Sequence, residues 1–169
     1  MPGVRLEPFD ERHRPGFRAL LADPQVLRYT RVPEPAPPDF DETWVSSYEV
    51  RRAARTAMNF ALEDARDGTF LGIAVAPSID TADRAAELGY VVASEARGRG
   101  IATAALGLLT DWAFAQGMHR LYLVISVEND ASKRVAQRAG YRFEGVLRGV
   151  HFKQGRFEDV EYWSRLATD

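Results

Sequence analysis

The stretch Gly89-Tyr90-Val91-Val92-Ala93-Ser94-Glu95-Ala96-Arg97-Gly98-Arg99-Gly100-Ile101-Ala102-Thr103 decides how the rest of the chain is read. An apolar run ends at Val92, a short polar connection follows, and two glycines one residue apart lead into a helical pattern. Glycine has no Cβ and tolerates positive φ, so Gly98 and Gly100 allow a sharp turn and close backbone approach to a ligand. Successive N–H groups in such a turn point outward together. The N-terminus of the following helix adds a partial positive charge. Together they form a cradle for a phosphate or pyrophosphate. Arg97 and Arg99 would add full charges. The plainer alternative is a glycine-rich turn that only starts a helix, with both arginines in water.

Two familiar phosphate-binding patterns do not fit. A dinucleotide fingerprint needs glycine or alanine where this chain has Thr103, and an acidic residue about twenty positions on, near Arg120. A P-loop needs lysine and then serine or threonine where Ile101 and Ala102 stand.

Downstream, Ile101, Ala105, Leu108, Leu109 and Trp112 recur at helical spacing, predicting a helix over 100–116 with Gly117 as its C-cap. The apolar run 121–125 predicts a strand buried on both faces. Asn129 can cap a helix that ends at Gly140. Two strands follow over 142–152 and 157–166, joined through Gln154-Gly155. Upstream, 60–63, 70–75 and 87–92 read as an antiparallel meander, with a turn at Asp67-Gly68 and a polar, turn-like 78–84. Residues 4–7 alternate as a short strand. Asp10 can cap a helix ending near Asp23-Pro24. Four prolines at 33, 35, 37 and 38 make 31–40 a surface loop or flap. A helix over 41–55 would place Trp44, Tyr48 and Arg51 on one side. The order predicts one mixed α/β layer domain over 1–169.

Bulk properties narrow the function classes. With 169 residues, 46% hydrophobic and 27% charged, the chain suits one globular domain with a real core. A net charge of −2 and a pI near 6.0 argue against a nucleic-acid binder. The absence of cysteine excludes disulfides, thiolate metal sites and a cysteine nucleophile. No metal ligand set is visible. No apolar run approaches the ~20 residues of a membrane span, and 1–10 lacks a signal region. The expected location is the cytoplasm, with no membrane partner.

The R-x-x-G-x-A pattern at 97–102, after the strand ending at Val92, resembles the acetyl-CoA signature of the GNAT superfamily. Asn129-Asp130-Ala131-Ser132, Ala139-Gly140-Tyr141, Glu144-Gly145, Leu147-Arg148 and Gly155-Arg156 with Asp159 are similar to its RimJ/RimL-type branch, which acetylates protein N-termini. The likeness is strong over 87–163 and weaker upstream. It implies an α/β GNAT fold: a mixed, mostly antiparallel sheet of about seven strands with about four helices, splayed at the acetyl-CoA site.

The resemblance also implies roles. The pantetheine arm of acetyl-CoA would lie between the strand at 90–92 and that at 121–125, paired with backbone groups of Val91 and Val92 and held by Asn129. Gly98, Arg99, Gly100, Ile101, Ala102 and Thr103, with Arg97, would take the pyrophosphate. Many relatives have an acid tyrosine where this chain has Ala136; the RimL-type serine falls on Ser132. The corresponding base glutamate falls on His151, which is chemically able to serve. Glu87 is a second candidate base. His13 and His119 are expected at the surface and Tyr141 in the core. The implied reaction is acetyl transfer to a primary amine, either a peptide N-terminus or a small molecule, with a homodimer ordinary for the family. A non-catalytic acyl-CoA-binding domain and a generic nucleotide-phosphate binder are the competing classes.

Overall fold

In the computed structural model, which describes residues 3–169, the alternating and apolar runs of the N-terminal half become an antiparallel meander. Its strands are β1 (Val4–Pro8), β2 (Met58–Asp64), β3 (Phe70–Asp80) and β4 (Ala85–Val92). The sheet continues through β5 (Arg120–Ser126), β7 (Arg156–Leu166) and β6 (Arg142–Lys153), in the order β1-β2-β3-β4-β5-β7-β6. Every described neighbour pair is antiparallel except β4 with β5. The predicted mixed, mostly antiparallel seven-stranded sheet is therefore present.

Helices cover both faces. Strand residues alternate in direction, so Phe60, Leu62, Ala74 and Leu88 meet α4 (Ile101–Ala115) and α5 (Asp130–Arg138). Ala61, Ile73 and Val91 meet α1 (Arg14–Leu21), α2 (Pro24–Tyr29) and α3 (Phe40–Ala53) on the other side. Leu106, Leu109 and Leu121 are fully buried, each stabilising the fold by about 1.5–3 kcal/mol relative to exposure. Leu108, placed by periodicity on the buried face of α4, is instead 37% exposed. The helix buries the row through Ala105, Leu106, Leu109 and Ala113.

Several elements differ from the sequence reading. Asp23-Pro24 does not simply end a helix. The Asp23 side chain accepts from the Gln25 N–H at 2.8 Å, and proline is tolerated at a first helical position, so the pair starts α2. This gives five α-helices, not four, among the described residues. Asp10 caps a 3-10 turn at Glu11–His13 before α1 begins. β3 runs to Asp80 and leaves only a short turn, because the sheet bulges between Val75 and Ser78 and accommodates Pro77 there.

His13 is a correction: it is buried, not at the surface. Its Nδ1 accepts from the Asp10 N–H at 3.0 Å, which leaves Nε2 to donate to Glu63 Oε1 at 2.9 Å. His119 is exposed and Tyr141 lies in the core, as expected.

The feature that positions the site is a failure of pairing. β4 and β5 are in register only from Ala85–Arg120 to Glu87–Tyr122. Beyond that point the strands diverge. Gly72 fixes the lip of this fork: a Cβ there would lie 2.1 Å from the Val91 carbonyl oxygen.

Candidate active site

The fork opens into a cleft of about 1010 Å³, bounded by the ends of β4 and β5, the first turns of α4 and α5, and the α2–α3 region. Between β4 and α4 the backbone makes a 3-10 turn at Ser94–Ala96, then bends left-handed at Gly98 (φ +72°) and Gly100 (φ +77°). A Cβ on Gly98 would meet nothing within 4 Å, so glycine is required there for conformation, not space. No side chain caps α4, so its first-turn N–H groups remain available to an anion. Gly98, Gly100, Ile101, Ala102 and Thr103 all line the cleft.

The two arginines differ from each other. Arg97 folds back as a strut: its Nε donates to the Val92 carbonyl at 3.0 Å and its Nη2 to Asp23 at 2.6 Å. Its charge is thereby spent on α2, although the residue still borders the cleft. Arg99 is exposed and not among the lining residues, and its charge helps Arg66 hold the Asp64 carboxyl below the usual range. The anion cradle is therefore mainly backbone.

Ladder alternation also separates Val91 from Val92. The Ala93 N–H donates to the Leu71 carbonyl at 2.9 Å, and Val91 lies opposite Ile73 in the same phase. Antiparallel alternation then directs Val91 main-chain groups into β3 and those of Tyr90 and Val92 toward the fork. Of the two valines, Val92 presents its amide to the cleft.

On the α4–α5 side, Ser132 stands in the first turn of α5, where its N–H is capped by Asn129 Oδ1 at 3.1 Å. Its hydroxyl lies 2.8 Å from the Tyr90 phenol. Burial pushes the Tyr90 phenol up to about 12, so it stays protonated at neutral pH. The pair is a hydroxyl relay beside a helix N-terminus, suited to a developing anion. Tyr90 was not singled out in the sequence; its even-numbered phase within β4, shared with Leu88 and Val92, was the available signal.

On the opposite face lie Glu87 and His151. Glu87 Oε1 pairs with Arg31 at 2.7 Å. His151 lines the cleft, and its buried Nε2 has no hydrogen-bond partner. Burial, reinforced by Arg31, holds the His151 imidazole below its ordinary value and thus neutral at pH 7. The register of β6 slips by two residues between Leu147 and His151, and the Gly149 N–H in this bulge donates to Asp159 at 2.9 Å. Trp44 and Tyr48 wall this side with ring centroids 4.6 Å apart, and Arg51 stacks over Tyr48 while donating to the Pro77 carbonyl. The proline-rich segment is an irregular loop between α2 and α3. Lys153 Nζ donates to the carbonyls of Leu27, at 2.6 Å, and Val32, strapping both ends of the turn that carries Arg31.

Comparison with known sequences gives this geometry a lineage. The family described as acetyltransferase (GNAT) domain matches residues 4–142, which include both walls of the fork. The chain belongs to that family. YdaF of Bacillus subtilis, provisionally named a ribosomal N-acetyltransferase, is 35% identical over 104 residues, 61% of this chain and 57% of that protein. The spermidine N(1)-acetyltransferase of Vibrio cholerae is 30% identical over 103 residues, 60% of this chain and 59% of that protein. The matched stretch thus spans less than three fifths of either relative. Among solved structures, RimL, a ribosomal L7/L12 α-N-protein acetyltransferase in complex with coenzyme A, superimposes on the GNAT chain with a TM-score of 0.89. That match has 20% identity and covers 98% of this chain and 95% of RimL. At that identity the likeness establishes the shared fold.

Proposed function

We propose that this GNAT chain transfers an acetyl group from acetyl-CoA to a primary amine by direct attack in a ternary complex. The observation that carries the reading is the fork. It leads from an uncapped helix N-terminus, past an unpaired strand edge, to hydroxyls on one face and a neutral imidazole on the other. The pyrophosphate suits the turn at Gly98–Gly100, and Asn129 borders the path of the arm. The amine nitrogen attacks the thioester carbonyl, with the Val92 N–H placed to stabilise the oxyanion. His151 accepts the ammonium proton through its free Nε2. As the C–S bond breaks, the Tyr90–Ser132 pair stabilises the departing thiolate. An α-amine, with a pKa near ~7.7–8.0, is easier to deprotonate than lysine at ~10.4.

The two curated relatives differ in acceptor, one named for ribosomal protein and one for spermidine, yet both acceptors offer a primary amine. A cytoplasmic setting, where coenzyme A is available, completes the reading. A homodimer is supported by the β6–β7 hairpin, the outer end of the sheet, which exposes Phe143, Val146, Phe152 and Phe157. Light scattering should then give twice the monomer mass; a monomer at micromolar concentration would remove that element.

The direct test of transfer is release of free thiol from acetyl-CoA across a panel of primary amines. Turnover should fall as pH drops through the His151 value, which burial holds below the ordinary ~6.5, and His151→Asn should lower the plateau. Tight CoA binding without thiol release for any amine would instead favour a non-catalytic acyl-CoA-binding domain.

A further inference from the structure

The Arg31–Glu87 pair is placed like a receptor, not like a surface ion pair. Glu87 sits on β4 at the last residue paired to β5, its side chain 14% exposed, while Arg31 reaches in from the α2–α3 loop with its side chain 54% exposed. Both line the cleft, and their charges are felt at the His151 imidazole and the Tyr48 phenol. Along β4, residues 87, 89 and 91 point to this same face. Gly89 puts no side chain between Glu87 and the end of the fork, and the Val75 methyl, 3.4 Å from where a Cβ would stand, walls that space.

The other charges near this end are already committed. Arg51 is held by the Pro77 carbonyl and the Tyr48 ring. Glu128, toward α5, pairs with Arg28 and with Arg156 at 3.0 Å. What remains at the reacting end is one positive and one negative group side by side, against an apolar wall that includes Trp44, Tyr48 and Val75. A polyamine would need several carboxylates there. A peptide N-terminus offers a cation with no carboxylate beside it, and would leave Arg31 unmatched.

Taking the acetyl-transfer reading as its basis, we propose that the acceptor is a zwitterion, a free α-amino acid with an apolar side chain, that inserts between Arg31 and Glu87. Its carboxylate replaces Glu87 on Arg31, its ammonium replaces Arg31 on Glu87, and its side chain lies against Trp44 and Tyr48. One ammonium proton passes to His151, the nitrogen forms the N–C bond to the acetyl carbon, the C–S electron pair leaves with sulfur as thiolate, and the thiolate takes the second nitrogen proton, giving the amide and the CoA thiol. Opposite charges held in place reward only a ligand presenting both charges at matching separation, which is the basis of its selectivity.

The test compares leucine, phenylalanine and methionine with their amides and with spermidine, reading kcat/KM from thiol release. The free acids should exceed their amides by on the order of 10- to 100-fold, the worth of a hydrogen bond to a charged group. Arg31→Met should bring the acid-to-amide ratio toward one, and Arg31→Lys should restore part of it. Arg31 is half exposed, and a thermal melt of each variant establishes that it is folded. Amides or spermidine used as well as the acids would overturn the zwitterion while leaving acetyl transfer intact. A ratio unchanged in Arg31→Met would overturn it equally. No thiol release with any of these amines or with an N-terminal peptide, despite CoA binding, would refute transfer and the zwitterion together.

Discussion

At the scale of single residues, the most informative pair is Tyr90 and Ser132, whose hydroxyls meet at 2.8 Å across the cleft wall. If they steady the departing thiolate, Ser132→Ala and Tyr90→Phe should each lower kcat by roughly 100-fold, at the modest end of general acid–base effects. KM for acetyl-CoA should change little. Because the two act as one relay, the double variant should cost much less than the product of the singles. Multiplicative losses measured in steady-state kinetics would show that they act separately. Ser132 was singled out in the sequence only through the RimL-type resemblance, which places a serine at this offset from Asn129. Tyr90 was not, because a tyrosine in an apolar strand reads as core until the strand's phase and the neighbouring helix are known. The Arg97 partner was not legible for a related reason: Asp23 is 74 residues away.

Among elements, the well-read ones carry their own punctuation. The Gly98–Gly100 turn, α4, β5 and the Asn129-capped α5 emerged close to their predicted bounds. Elements that depend on distant partners did not. β3 extends past Pro77 only because the sheet bulges, and the start of the 31–40 loop is held by Lys153, far along the chain. The 3-10 turn before α1 is similarly pinned, by the His13–Glu63 contact to β2. Burial raises the Glu63 carboxyl, but bonds from His13 and Arg5 outweigh this and hold it below its ordinary value. The unfolded chain therefore takes up that proton first. The stability Glu63 contributes is present above its unfolded value, near ~4.3, and is lost as pH falls through the lower folded one. Glu63→Gln should thus be less stable than the parent protein in urea at pH 7, with the gap narrowing on acidification. A gap of constant size down to pH 3.5 would mean that the carboxylate's charge contributes nothing.

For the whole molecule, strand order and the parallel β4–β5 contact were not readable from local pattern, since periodicity says nothing about which strands become neighbours. The GNAT likeness supplied only that the strands at 90–92 and 121–125 are neighbours that splay, and the sheet agrees on that point. What the sheet accomplishes is a controlled separation: two strands share three register pairs and then part. The two faces of the gap receive different chemistry, hydroxyls from α5 and β4 on one side and an imidazole with an ion pair on the other. Calorimetric titration of coenzyme A into the protein and into Gly100→Val tests this most directly. The parent should bind, and the variant, with a branched side chain forced into a left-handed position at the cradle, should keep its fold but bind at least about tenfold more weakly. No heat of binding to the parent, or equal affinity in a folded Gly100→Val, would contradict the account.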